Sequence, residues 1–169
     1  MENVILIGMP SCGKSTVGVI LAKAMGLDFL DTDLLIQRQT GHRLCELIAA
    51  RGMDGFLELE NRTLAALDVH YTVVATGGSA VFGREAMARL HAIGRVVYLR
   101  LPLAEIERRI GDITTRGVVT APGETIADVY RRRVPLYEAE ADITVDAAAL
   151  TVEQTVEAIM EAIGRASLG

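Results

Sequence analysis

The chain has 169 residues, of which 50% are hydrophobic, and its 22 acidic and 17 basic residues give a formal net charge of −5. This size and composition suit one compact domain with a substantial core, and the scattered acidic excess argues against an extended binding surface for nucleic acid. The apolar run at the start is interrupted by Gly8 and Pro10 and follows no basic segment. We therefore expect neither a signal peptide nor a membrane partner, and a cytoplasmic location.

The first part of the chain alternates short apolar runs with helical patterns. Asn3–Ile7 is predicted to be a strand and Ser15–Met25 a helix. Asp28–Asp31 follows as a second short strand, and helical spacing continues over Leu34–Gln39 and Leu44–Leu67. This order is typical of a parallel sheet whose strands are connected by helices.

The same alternation continues to the end of the chain. Strands are predicted over Thr72–Ala75, Arg95–Leu101 and Ile143–Asp146. The remaining helical patterns are Glu85–Ala92, Leu103–Ile110, Glu124–Glu138 and Val152–Ile163. Strands that are continuously apolar indicate a sheet covered on both faces. We therefore predict a single α/β domain over residues 1–169, with three α/β/α layers and a central parallel sheet of five strands.

One stretch, Gly111 to Gly123, departs from this regularity. It contains Gly, Thr and Pro without a strong period. A segment of this length without regular structure in a compact domain is often an active-site lid. We predict that it closes over the site.

Residues 8–16, GMPSCGKST, match the pattern G-x-x-x-x-G-K-[ST] at the junction of the first strand and first helix. In such a P-loop the glycines let backbone N–H groups surround phosphate oxygens, and the helix N-terminus favours negative charge. Lys14 is predicted to neutralise the β- and γ-phosphates of ATP, and Ser15 to ligate Mg²⁺. The residues assigned to the nucleotide are Gly8, Ser11, Cys12, Gly13, Lys14, Ser15 and Thr16.

The second strand ends in two carboxylates, Asp31 and Asp33. In an extended segment residues two apart lie on the same side, so one carboxylate can hold Mg²⁺ while the other orients an acceptor hydroxyl and takes its proton. The alternative is an acidic strand end that caps the next helix. Asn3 and Asn61 are the only asparagines, so no N-K-x-D guanine motif is present. These features favour a kinase that phosphorylates an alcohol.

Four segments together resemble the shikimate kinases, small relatives of the nucleoside monophosphate kinases. They are the P-loop segment GMPSCGKSTVG, the pair DTD, the run ATGGSAV and the helix end RVPLYEAEAD. The resemblance spans nearly the whole chain. It implies a small-molecule hydroxylated substrate, with shikimate as the leading candidate, and a place in aromatic amino acid biosynthesis. We expect a monomer.

The resemblance also implies roles for individual residues around the acceptor. Asp31 becomes the Mg²⁺-associated carboxylate, and Asp33 the residue that binds and activates the substrate hydroxyl. Gly77 and Gly78 become backbone contacts to substrate.

Three arginines take roles by the same resemblance. Arg109 is implied to stack on adenine, Arg116 to be a lid residue on the phosphates, and Arg133 to bind the substrate carboxylate. A lid arginine stabilises charge on the transferring phosphoryl group, so Lys14, Asp33 and Arg116 form the predicted catalytic set. For each arginine the alternative is a structural ion pair.

The chain departs from the family pattern at three places. Leu57 stands where G-E-x-x-F-R-x-x-E has an arginine that grips the shikimate carboxylate, Ser79 replaces the last glycine of ATGGGAV, and residues 116–119 read RGVV rather than RPLL. Losing one charge-assisted partner weakens binding by about 1.5–3 kcal/mol. Leu57 is therefore kept in the predicted acceptor-binding set as the residue that alters it.

Two alternatives remain open at this point. One is a kinase for a different hydroxylated acid, sugar acid or amino-bearing metabolite, with Glu58 as a candidate partner for an ammonium group. The other is a nucleotide-binding regulatory module that does not turn over.

Overall fold

A computed structural model describes residues 3–110, 120 and 123–166. Its strands are β1 (Asn3–Ile7), β2 (Asp28–Asp31), β3 (Thr72–Ala75), β4 (Gly94–Arg100) and β5 (Ile143–Asp146). Its helices are α1 (Lys14–Met25), α2 (Thr32–Thr40), α3 (Leu44–Ala65), α4 (Arg84–Ile93), α5 (Leu103–Ile110), α6 (Ile126–Glu140) and α7 (Val152–Ala166), with a short 3₁₀ turn at Ala80–Phe82. The predicted lid lies almost entirely outside the described residues, so its closure stays a prediction.

The five strands form one parallel sheet in the order β2-β3-β1-β4-β5. β1 is central and all five of its residues are buried, as expected for a strand with helices on both faces. The predicted three-layer α/β fold with a five-stranded sheet is confirmed. Because all strands are parallel, the segments that follow β1, β2 and β3 meet at one edge, where open α/β sheets bind ligands.

Apolar side chains from both faces of the sheet form one continuous core. Tyr98 on β4 stacks on Tyr137 of α6 with ring centroids 5.2 Å apart. A smaller apolar cluster joins Ile36 of α2 to Leu47 and Phe56 of α3. That cluster fixes α2 and α3 against each other beside the site. No helix among the described residues is long and apolar enough to cross a bilayer.

Helix boundaries differ from the predicted ones where capping decides them. α2 starts at Thr32 rather than Leu34, because Asp31 Oδ1 accepts from the backbone N–H groups of Asp33 (3.0 Å) and Leu34 (3.2 Å). α3 is interrupted at Gly52, whose φ of 70° and ψ of 176° are not helical. Glycine adopts this conformation without steric strain, and it allows α3 to bend next to the site.

Candidate active site

The P-loop has the local geometry that phosphate binding requires. Gly8 and Gly13 have φ of 146° and 100°, in the range that favours glycine. A Cβ on Gly8 would lie 2.8 Å from the Leu99 carbonyl oxygen and 3.0 Å from Cys12 Sγ. Ser11 also has a positive φ, of 64°, a conformation that is uncommon for non-glycine residues and occurs in tight turns and at active sites. The loop is therefore held as a tight turn before α1.

Lys14 begins α1 and is almost fully buried, with 8% of its surface exposed. Its Nζ donates to the carbonyl oxygens of Gly8 (2.8 Å) and Met9 (2.9 Å) and lies 3.7 Å from Cys12 Sγ. The ammonium group is thus fixed inside the turn by the loop's own backbone. This arrangement holds one positive charge where phosphate oxygens would lie.

Ser15 and Asp31 come together as predicted. Ser15 Oγ donates to Asp31 Oδ2 over 2.6 Å, while the other oxygen of the same carboxylate caps α2. The alternative capping role of Asp31 is therefore present in the structure, and its metal-associated role stays a prediction. Mg²⁺ prefers oxygen ligands and usually takes one or two from protein and the rest from water and phosphates. The Ser15–Asp31 pair fits such an ion, and no cluster of three or more metal-ligating side chains is present in the described part of the chain.

Asp33 lies in the first turn of α2 and lines the same cleft as the P-loop. Burial and the nearby Asp31 carboxylate raise its pKa from 3.8 to about 6, and Lys14 partly opposes that rise. A carboxylate with this pKa is ionised at neutral pH yet more basic than an exposed one, which suits proton transfer from a hydroxyl group.

The loop after β3, residues 77–79, forms the wall of the cleft beside the P-loop, and a Cβ on Gly78 would lie 3.0 Å from Pro10 Cδ. The Gly77 N–H donates to Thr32 Oγ1 over 3.1 Å. A Cβ on Gly77 would lie 2.7 Å from Asp33 Oδ1, and one on Gly78 would lie 2.9 Å from Arg133 Nη1. The two glycines thus allow Asp33 and Arg133 to approach the backbone from opposite sides.

Arg133 and Tyr137 lie one turn apart on α6, at 1% and 0% exposure. Tyr137 donates its hydroxyl to the Gly78 carbonyl over 2.6 Å. The guanidinium carbon of Arg133 lies 5.5 Å from the centre of the Phe82 ring, within the range of a cation–π contact. Arg133, which is predicted to bind the substrate carboxylate, is therefore held in a fixed position beside the loop 77–79.

An open cleft of about 560 Å³ connects these elements. Its walls include most of the predicted residues, together with residues that the sequence analysis did not select. The predicted ones are Ser11, Gly13, Lys14, Ser15, Thr16, Asp33, Gly77, Gly78, Arg109 and Arg133, and the others are Pro10, Leu44, Phe56, Thr76 and Ser79. One cleft therefore joins the phosphate-binding end to the acceptor end.

Arg109 lies on the wall of the cleft and is 32% exposed. Its Nε donates to Glu105 Oε1 over 2.6 Å, so the alternative ion pair is present, and the predicted contact with adenine stays a prediction. Arg116 lies outside the described residues, and its role stays a prediction.

Leu57 does not lie on the cleft wall. It packs against the small cluster formed by α2 and α3, while its neighbour Phe56 reaches the cleft. Glu58 is exposed and is not a cleft residue either. Leu57, which was kept in the predicted acceptor-binding set, is therefore part of a small apolar cluster rather than of the cleft wall.

Sequence reasoning missed the buried Glu60. It is 2% exposed, and its Oε2 accepts from Ser79 Oγ over 2.6 Å. Burial raises its pKa from 4.5 to about 7, the Ser79 hydrogen bond opposes the rise, and the nearby Asp33 adds to it. The available signal is the last glutamate of the pattern G-E-x-x-F-R-x-x-E, which falls at residue 60.

Comparison with known proteins identifies the family. A family model described as shikimate kinase matches residues 10–164. The shikimate kinase of Thermodesulfovibrio yellowstonii is 35% identical over 172 residues, covering 100% of this chain and 99% of that protein. The enzyme of the same name from Thermobifida fusca is 38% identical over 157 residues, covering 92% of this chain and 91% of that one.

A solved structure matches the fold as well. Shikimate kinase from Acinetobacter baumannii in complex with shikimate has a TM-score of 0.91 and 30% identity, over 100% of this chain and 96% of that one. The matched region contains the P-loop, the carboxylates after β2, the loop after β3 and α6. The chain belongs to the shikimate kinase family and is an ATP-dependent phosphotransferase that acts on a hydroxyl group.

Proposed function

We propose that this chain transfers the γ-phosphoryl group of MgATP to a hydroxyl of shikimate. The observation that carries the proposal is the position of Asp33, a partly buried carboxylate between the P-loop lysine and the glycine loop, with a pKa raised to about 6. The same cleft contains Arg133, a cation suited to the carboxylate of such an acceptor.

Under this proposal, the residues of the cleft have separate roles in phosphoryl transfer. Asp33 orients the acceptor hydroxyl and accepts its proton as the new P–O bond forms. Lys14 and the loop N–H groups bind phosphate oxygens and stabilise the charge that develops on them. Ser15 and Asp31 would hold Mg²⁺, which when bound neutralises phosphate charge. Arg133 fixes the acceptor's carboxylate, and Arg109 contacts the nucleotide base.

Arg116 completes the proposed set as the cation that reaches the phosphates when the lid closes. Its support is the family pattern alone. A monomeric state and a cytoplasmic location likewise stay predictions from the sequence.

An acceptor screen tests the proposal. Purified protein with MgATP is offered shikimate, other hydroxy acids, sugar acids and hydroxy amino acids, while ADP release is followed and products are identified by mass spectrometry. We expect shikimate to give the highest kcat/KM. Turnover with a different acceptor alone would replace shikimate in the proposal, and nucleotide binding without turnover of any acceptor would favour the regulatory module.

A further inference from the structure

Each residue of the loop 77–79 forms a hydrogen bond with a different helix. The three bonds are Gly77 N–H to Thr32 Oγ1 on α2, Tyr137 hydroxyl on α6 to the Gly78 carbonyl, and Ser79 hydroxyl to Glu60 Oε2 on α3. The first two involve the backbone of the loop, so they do not depend on which side chains the loop carries. The third exists only because residue 79 has a hydroxyl group, which the glycine of the family pattern lacks.

Glu60 depends on that hydroxyl. The carboxylate is 2% exposed, and no hydrogen-bond partner is found for its Oε1 within the described residues. A Cβ on Gly77 would lie 2.5 Å from that oxygen, so the carboxylate lies directly behind the loop. Asp33, Arg133 and Lys14 are the charged groups around it. A buried carboxylate without a donor is strongly unfavourable, so the Ser79 bond is a main source of its stability.

Position 57 is a further place from which a side chain could reach Glu60. Residues three apart on a helix are neighbours on its surface, and the family pattern has an arginine at 57 together with the glutamate at 60. This chain instead has Leu57, packed against the cluster of Ile36, Leu47 and Phe56. The exchange at 57 removes a cation next to Glu60, and the exchange at 79 supplies a neutral donor to the same carboxylate.

We infer that Ser79 is a specificity-determining positioning residue, which holds the buried Glu60 carboxylate in place of an arginine at position 57. The Ser79 hydroxyl keeps the loop 77–79 hydrogen-bonded to α3. Unlike an arginine at position 57, it adds no second positive charge beside the acceptor. Positions 57 and 79 are therefore coupled through Glu60. The consequence for acceptor choice rests on the proposed function, whereas the coupling itself does not.

A double-mutant cycle between the two positions tests the coupling without substrate. Ser79→Ala removes the donor to Glu60, and we expect its melting temperature to fall by roughly 4–10 °C. Adding Leu57→Arg to Ser79→Ala should recover at least half of that loss, because the guanidinium group can reach Glu60 from one turn away. The matched control adds Glu58→Arg instead, which places an arginine at an exposed position one residue along the same helix, and should recover nothing.

Additive effects of Leu57→Arg and Ser79→Ala, or equal recovery with Glu58→Arg, would overturn the inference. If Ser79→Ala alone does not fold, the comparison moves to the two double variants. Folded protein from Leu57→Arg/Ser79→Ala but not from Glu58→Arg/Ser79→Ala supports the coupling, and the same outcome for both contradicts it.

Kinetics with shikimate and ATP then test the positioning role. Where Ser79→Ala is folded, we expect its KM for shikimate to rise about 3–10-fold while its KM for ATP is unchanged, and Ser79→Thr, which keeps the hydroxyl, to stay nearer the parent. Equal changes in both KM values would mean a general loss of structure and would contradict the role. If no variant and no parent protein uses shikimate, the proposed function fails, and the melting data still decide the coupling.

Discussion

The phosphate end and the acceptor end of the cleft are built in different ways. The phosphate end comes mainly from one contiguous segment, residues 8–16, which combines left-handed backbone at Gly8, Ser11 and Gly13 with the buried Lys14. The acceptor end is assembled from α2, α3, the loop after β3 and α6 through side-chain contacts.

This difference explains two of the three departures from the family pattern, those at Leu57 and Ser79. Backbone geometry at Gly8 and Gly13 tolerates few substitutions, because a Cβ would meet strain or a neighbouring carbonyl. A side-chain partner such as the one on Glu60 can be exchanged for another donor elsewhere in the fold. The acceptor end can therefore change its charge while the phosphate end stays constant.

The largest expected effect is the loss of kcat when Asp33, which lies between the phosphate end and the acceptor end, is changed. Asp33→Asn keeps the size of the side chain but removes its basicity, so kcat should fall by about 10²–10⁴-fold. Calorimetry should show MgATP binding within about threefold of the parent, since the phosphate end is untouched. A loss of less than tenfold in kcat would remove Asp33 from the chemistry.

The next largest effect is the loss of kcat when Lys14 at the phosphate end is changed. Lys14→Ala removes a buried cation from the P-loop, and kcat should fall by about 10²–10³-fold in an ADP-release assay. Lys23→Ala, on the last turn of the same helix, is the matched control and should behave as the parent. Similar activity in both variants would contradict the assigned role of Lys14.

The third prediction is a gain of affinity for shikimate at the acceptor end. Leu57→Arg introduces the cation that the family pattern has near the loop 77–79. The KM for shikimate should therefore fall about ten- to a hundredfold, with little change in the KM for ATP. Glu58→Arg carries the same new group on an exposed position and should leave both values unchanged. An unchanged shikimate KM in Leu57→Arg would show that position 57 does not serve the acceptor.

The smallest effect is on stability and depends on pH. The pKa of Glu60 is about 7 in the folded protein against 4.5 ordinarily, so the folded state holds this proton more tightly than the unfolded state. The resulting stabilisation is present in full below pH 4.5 and is lost as the pH rises through 7. Glu60→Gln cannot lose a proton.

Melting curves measure this difference. The melting temperature of Glu60→Gln relative to the parent should rise between pH 5 and pH 8, by the equivalent of up to about 3 kcal/mol. Glu58→Gln, the exposed control, should show no such trend. A parallel pH dependence in Glu60→Gln and the parent would mean that Glu60 keeps an ordinary pKa.

The sequence predicts the fold and the phosphate end well, for physical reasons. The strands are short continuous apolar runs, and the P-loop pattern carries its own backbone geometry, so neither needs knowledge of distant contacts. Glu60, Ser79 and Tyr137 lie in segments that resemble the family pattern, but their hydrogen bonds could not be predicted, because the partners lie 19 to 59 positions away in the sequence. The start of α2 was misjudged for a smaller reason, since Asp31 both ends a strand and caps a helix.

The order of strands has a consequence for how the protein acquires its site. β2 is an edge strand whose neighbour is β3, and α2 and α3 lie between the two in the chain. During synthesis, β2 has no strand to pair with until β3 has emerged and inserted between it and β1. Such non-local pairing slows folding, because a long loop must close before any ladder bond forms. β1, which precedes the nucleotide turn, is likewise paired with the later strands β3 and β4. The P-loop and the carboxylates of Asp31 and Asp33 therefore reach their final places only after β3 has been made.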